Sequence, residues 1–315
     1  MTQKTRIITL GNQKGGCAKS TNCLNICYSL ANTFNKRVLL VDMDSQASAS
    51  INLGLDVGDD SINTIDEILG EYVENPSGDW KDWENVKKYI YTPTFPKRIR
   101  VEGSTKWETK NIPFGKDISN GEGEGCFDLI PSNLALAVVE LRMSMRASSN
   151  RKGTVYSYYL RDLLDVIIKN KDEAGEHYDY VIIDTPPALG SLSFNSIACA
   201  VDGVIIPTNL DLMSFRGIKS FEESVEAAKK LNPNHKGILG ILLSLYFDKR
   251  AVDNALAKYI EEFYPIPVFK TQIPDSTDAK RANASGLLFS QVNKKAKKAF
   301  DELCKEIMDA VGDAY

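Results

Sequence analysis

The densest chemistry in the chain lies in residues 11–21, GNQKGGCAKST. Gly15 and Gly16 let the backbone curl so that successive N–H groups point inward at an anion. A helical pattern follows, adding free N–H groups and the positive end of its dipole. Lys19 is spaced to reach β- and γ-phosphates, the Ser20 hydroxyl to ligate Mg²⁺, and Thr21 to bond an α-phosphate. Gly15, Gly16, Cys17, Ala18 and Lys19 complete the nucleotide cradle. The strict pattern G-x-x-x-x-G-K-[ST] is not met, because its two glycine positions hold Gln13 and Ala18. A methyl at position 18 requires the backbone there to avoid positive φ. By itself the stretch also reads as a glycine turn.

Three carboxylates form the second set. Asp42 and Asp44 close the apolar run VLLVDMD, and Asp184 closes YDYVIID. An apolar strand ending in Asp is a Walker B pattern, in which Asp184 holds Mg²⁺ through a water. Thr185-Pro186-Pro187 gives that strand a rigid exit able to respond to a γ-phosphate. A turn or a helix N-cap is the lesser alternative for Asp42 and Asp44.

These residues need a scaffold that brings several strand ends to one edge. Short apolar runs predict strands at Arg6–Leu10, Val38–Val41, Phe127–Ile130, Tyr180–Ile183, Gly203–Ile206, Ile238–Leu245 and Val268–Ile273. Helical patterns fall near 19–34, 134–148, 154–170, 214–231, 251–263 and 287–311. The alternation predicts an α/β fold, a doubly wound and mostly parallel sheet flanked by helices, with ligands at the strand C-termini. Residues 72–126 break the pattern. They hold Trp80, Trp83 and Trp107 and the run GEGEG, and read as a surface insertion with a short helix and a β-hairpin.

The string K-G-G-x-x-K-[ST]-T, set between strand and helix, resembles the deviant Walker A loop of the ParA/MinD family of ATPases. Asp42-Met-Asp44-Ser45-Gln46 is similar to that family's D-x-D-P-Q segment, with Ser45 for proline. Asp128–Asn133 looks like its L-I-P-S-N strand, and Gly203–Pro207 like its V-I-I-P strand. The resemblance covers roughly 5–71 and 127–311, and no counterpart is seen for 72–126. It implies a single P-loop ATPase domain over 1–315, with ATP and Mg²⁺ as cofactors. Lys14 would act in trans on the partner's phosphates in a nucleotide-sandwich homodimer. Asp44 would position or activate the attacking water, with Lys14 and Lys19 completing the catalytic set, while Asp42 supports the Mg²⁺ shell beside Ser20 and Asp184. Ile273, Pro274 and Asp275 would lie near the adenine ring. Hydrolysis would be slow and stimulated by a ParB-like centromere-binding protein.

Lys+Arg total 38 against Asp+Glu 42, a net charge of −4, which excludes a uniformly basic nucleic-acid coat but not a basic face. Residues 270–298 concentrate seven basic against two acidic side chains. A solvated helix face explains them equally well by composition. The family resemblance turns Lys280, Arg281, Lys294, Lys295, Lys297 and Lys298, with Lys249 and Arg250, into candidates for non-specific double-stranded DNA binding. Val292, Ala296, Ala299, Leu303 and Ile307 are expected to face the core. The loop starts at residue 11, leaving no room for a preceding helix-turn-helix, and the end LCKEIMDAVGDAY lacks a basic amphipathic membrane tail. No apolar run of 18 occurs and the N-terminal one is too short for a signal peptide, so a cytoplasmic, nucleoid-associated protein without membrane contact is expected. Six cysteines without a C-x-x-C pair, beside two histidines, argue for reduced thiols rather than zinc. Nothing flanking Cys126 or Cys199 supports an iron–sulfur cluster. The resemblance implies a DNA partition ATPase. A MinD-like or cargo-positioning ATPase and a small-molecule phosphotransferase are the alternatives, and Lys14 weighs against the last.

Overall fold

The computed structural model describes residues 4–100, 107–115, 125–149, 158–209, 212–246, 251–263 and 265–313. Strands β1 (Arg6–Leu10), β2 (Arg37–Asp42), β5 (Cys126–Ile130), β6 (Tyr180–Asp184), β7 (Gly203–Thr208) and β8 (Ile238–Leu243) form one sheet in the order β5-β2-β6-β1-β7-β8. Every pairing in it is parallel. The alternating faces of each strand are divided between two cores, as the two-residue period requires. Val38 and Leu40 of β2 and Tyr180 and Ile182 of β6 face one side. There Leu24 and Ile26 of α1 (Lys19–Asn32) meet Phe300, Leu303 and Ile307 of α12 (Lys294–Val311). Leu39, Val41, Val181 and Ile183 face the other side. Their partners come from α3 (Ile65–Glu74), α5 (Leu136–Ser149) and α6 (Tyr159–Glu173). A third cluster closes β7 and β8 under α7 (Ser191–Cys199), α8 (Leu212–Leu231) and α9 (Ala251–Phe263).

The central strands lie where their apolar runs predict. Three expectations change. Val268–Ile273 makes no regular strand: Val268 and Pro274 form isolated parallel bridges to Ile241 and Tyr246, and prolines 267 and 274 withhold ladder donors. The last helical stretch breaks at Asn293, whose side chain accepts from the Ala296 N–H and caps α12. Val292 ends the short helix α11 (Phe289–Val292) and is exposed, whereas Ala296, Ala299, Leu303 and Ile307 are buried as expected. Four further helices, α2 (Ser48–Asn52), α3, α7 and α10 (Thr277–Ala284), lie outside the expected helical stretches.

Residues 72–126 hold short helical turns, among them α4 (Trp83–Val86), then a hairpin of β3 (Thr94–Arg100) with β4 (Trp107–Pro113). The segment is more than a surface addition. Trp80 stacks on Tyr72 with ring centroids 3.7 Å apart, inside the α3–α6 core. Phe95, Ile112 and Phe114 enter the opposite core, where Phe114 packs 5.5 Å from Phe127. Tyr91 pairs with Leu129, covering the otherwise open edge of β5.

Candidate functional site

The loop after β1 is pinned from below. The Gly11 N–H donates to Ile205 O at 3.0 Å, and Asn12 Nδ2 donates to Pro207 O at 2.7 Å. A Cβ on Gly11 would stand 2.2 Å from the Phe221 ring, so only glycine lets the strand leave here. Asn12 Oδ1 accepts from the Lys14 N–H at 3.1 Å and starts the curl. Gly16 then adopts φ +75°.

Ala18 also adopts the left-handed region, at φ +63°, which corrects the expectation that its methyl forbids positive φ. The reason lies downstream: α1 starts at Lys19, and the Asn22 N–H already donates to Ala18 O at 2.9 Å. Closing the loop onto that helix requires the turn, at a cost of about 1–2 kcal/mol. Lys19 Nζ arches back to donate to Lys14 O at 3.2 Å. Lys14 Nζ donates to Asn209 Oδ1 at 3.2 Å, beyond the end of β7. The buried Cys17 thiol donates to Lys14 O at 3.2 Å, and burial pushes its pKa up, so the cysteine stays a neutral thiol.

Asp42 and Asp184 are register partners at the ends of β2 and β6, and both are fully buried. Their surroundings differ. Asp42 accepts from the Asp44 N–H at 3.1 Å, the Ser50 N–H at 3.0 Å and the Ser50 hydroxyl at 2.7 Å. It fixes the turn that carries Asp44. Neither oxygen of Asp184 has a hydrogen-bond partner. Burial pushes the Asp184 carboxyl up, Asp42 adds to that, and Ser20 and Lys19 oppose it. Asp42 is raised by burial too, with Ser50 opposing. A buried carboxylate with two orphan oxygens costs about 1–3 kcal/mol or more in unmade bonds. A cation or its water at Ser20 and Asp184 removes that cost, so these two residues fit Mg²⁺. Asp42, occupied by Ser50, fits a positioning part better than a ligand's.

Gly15, Gly16, Ala18, Lys19, Ser20, Thr21 and Asp44 line one cleft of about 290 Å³. Asp44 is nearly buried, and its Oδ1 accepts from the Gln46 N–H at 3.0 Å. Pro187 closes the cleft from the exit of β6. Ser48 and Asn52 of α2 and Asn283 of α10 also line it and went unseen in the sequence. Their helices are short or polar and give no strong periodic signal. Ile273, expected near the adenine ring, is 2% exposed within a core. Pro274 and Asp275 bridge to Tyr246 and do not line the cleft.

Lys280 and Arg281 of α10 and Lys294, Lys295 and Lys298 of α12 are exposed. Asn293 Nδ2 donates to Asp278 Oδ2 at 2.8 Å and ties the two helices together. Lys297 is half-buried, held by Asp301 at 2.7 Å, and is the least available of the group. Lys249 and Arg250 lie outside the described residues. The six cysteines are buried free thiols. Among the described residues no helix is long and apolar enough to cross a membrane.

A parallel sheet, a pinned glycine loop opening a helix, and a buried aspartate at the neighbouring strand end define a P-loop nucleotide-binding protein. The sequence matches the AAA-domain family over residues 5–236, and the chain belongs to the ParA/MinD family of P-loop ATPases. It is 25% identical over 311 residues to the chromosome partitioning protein ParA of Caulobacter vibrioides, covering 98% of this chain and 96% of that one. It is 25% identical over 304 residues to the sporulation initiation inhibitor Soj of Bacillus subtilis, covering 96% and 98%. Cobyrinic acid a,c-diamide synthase of Mycobacterium smegmatis, solved with an ATP analog and magnesium, superposes with a TM-score of 0.66. That likeness spans 96% of this chain and 93% of the synthase at 25% identity.

Proposed function

We propose that the protein is a ParA-type partition ATPase that forms an ATP-sandwich homodimer and binds double-stranded DNA without sequence preference. A ParB-like centromere-binding protein stimulates its slow hydrolysis, and the cargo is a plasmid or chromosome origin. The observation that carries the reading is the joint lining of one cleft by Lys19, Ser20, Thr21 and Asp44, with the orphan carboxylate of Asp184 beneath.

ATP with Mg²⁺ supplies the transferable phosphoryl group and its charge neutralisation. The chain supplies position. The backbone from Gly15 to Lys19 and the first turn of α1 donate N–H groups to the phosphates. Lys19 leaves its carbonyl partner for the phosphates, and Ser20 and Asp184 would hold the cation. Asp44 orients water for in-line attack and accepts its proton. Lys14 leaves Asn209 and reaches across the dimer, where a cation from a second subunit favours the developing charge. The exposed lysines of α10 and α12 meet DNA phosphates, doubled in number by dimerisation.

Asp44→Ala tests this assignment. The variant should bind ATP and DNA as a trapped dimer while hydrolysis falls by about two orders of magnitude or more. Turnover at the parental rate overturns Asp44's part.

A further inference from the structure

Exposed apolar side chains gather on one helix face. Leu134, Val138, Leu141 and Met145 are 72%, 51%, 60% and 65% exposed and repeat at helical spacing from the turn before α5 along its length. Nine large apolar side chains are exposed among the described residues, so four on one stripe is a concentration that scattered exposure does not explain. The stripe borders an acidic one: Glu67, Glu71 and Glu74 of α3 are exposed and follow the same spacing. A groove of about 460 Å³ separates the two, lined by Glu67, Glu71 and Glu74 on one side and Ala135, Val138 and Arg142 on the other. At its far end Arg142 pairs with the Glu74 carboxylate, and Arg146 donates to the Glu74 backbone carbonyl. Glu71 has no ion-pair partner among the described residues, and Glu67 accepts only from neutral groups, Thr64 N–H and the Tyr89 hydroxyl.

We infer that this face docks a basic amphipathic helix of a partner protein. The partner's apolar residues would cover the α5 stripe and its lysines or arginines would meet Glu67 and Glu71. Helix α12 of a second copy cannot fill the face, because its apolar side is already buried. The position is suited to control. The Ser132 N–H, in the loop between β5 and α5, donates to Ser50 Oγ at 3.0 Å, and Ser50 Oγ donates to Asp42 Oδ2 at 2.7 Å. Glu140 Oε1 of α5 accepts from the Leu192 N–H at 3.2 Å, past the exit of β6. Docking on α5 therefore bears on both strand ends beneath the phosphates. That coupling rests on the ATPase reading above; the docking does not.

The test uses the full chain and a fluorescein-labelled helical peptide of about five turns. The peptide carries leucines at the stripe's spacing and lysines elsewhere; a control replaces the lysines with glutamates. Anisotropy is read at about 0.15 M salt. The lysine peptide should bind at least about tenfold more tightly than the glutamate peptide, and Leu141→Asp and Glu71→Lys should each weaken it about tenfold with an unchanged melting midpoint. No binding of the lysine peptide, equal binding of both peptides, or binding unaffected by both variants overturns the inference. So does an ATP-dependent dimer that Leu141→Asp dissolves, since a second copy would then cover the face. Labelled-ATP binding in the same samples separates the two failures: lost docking with ATP binding intact rejects this surface alone.

Discussion

Lys19 shows how one side chain is prepared for a ligand. It is 7% exposed, yet its ammonium is held by a carbonyl of its own loop, Lys14 O. A phosphate offers a stronger, charge-assisted partner. Lys19→Ala should therefore weaken labelled-ATP binding on the order of a hundredfold, matching a charged bond of about 3 kcal/mol. Unchanged affinity would remove Lys19 from the site. His235 gives a prediction of a different kind. It is 3% exposed; its Nε2 donates to Ile197 O at 2.9 Å and its Nδ1 accepts from the Gly237 N–H at 2.9 Å. Both nitrogens are satisfied only in the neutral ring, and burial lowers the pKa below 6.5, with the Ile197 carbonyl opposing. Below pH about 6.5 the unfolded chain takes up a proton that the folded chain resists, so stability is present above that pH and is lost as pH falls. Urea melts at pH 7.5 and 5.5 should show a larger loss for the parent than for His235→Gln; equal losses contradict this. The loop and Asp184 were legible in the sequence because phosphate and cation chemistry need particular side chains at particular offsets. The turn at Ala18 was not, since α1's start imposes it. Nor was Asp42's engagement, whose partner Ser50 lies in a helix too short to announce itself.

At the scale of elements, legibility followed burial. Strands buried on both faces show as continuous apolar runs, and β1 was bounded correctly from its sequence. The edge beyond β8 makes no regular strand because prolines 267 and 274 bound the β-patterned segment Val268–Ile273 on both sides. The capping box of Thr64 and Glu67 that starts α3 was visible but went unused. The segment 72–126 was placed on the surface because its polar, tryptophan-rich composition hides which few side chains turn inward. The structure makes a quantitative claim about it. Phe114 is 2% exposed, 4.8 Å from Phe95 and 5.5 Å from Phe127 between ring centroids. Phe114→Ala should cost about 3–5 kcal/mol in urea unfolding, as for other large-to-small core changes. A cost below about 1 kcal/mol would return the hairpin to the surface.

The whole molecule is acidic, yet it carries a basic district on α10 and the start of α12, tied through Asn293 to Asp278. α10 also gives Asn283 to the nucleotide cleft, so one short helix touches both the proposed ATP site and the proposed DNA face. Some of this charge is already spoken for by Asp301 and Glu302, which makes a doubled patch more important than any single lysine. Coupling between nucleotide and DNA is thus the claim on which the functional reading stands. It is tested most directly by duplex-DNA binding of the full chain with ATP, ADP or no nucleotide across a salt series. Binding is expected only with ATP, falling steeply with salt and lost on replacing Lys294, Lys295 and Lys298. Absence of binding in every state, or binding indifferent to nucleotide, would contradict it.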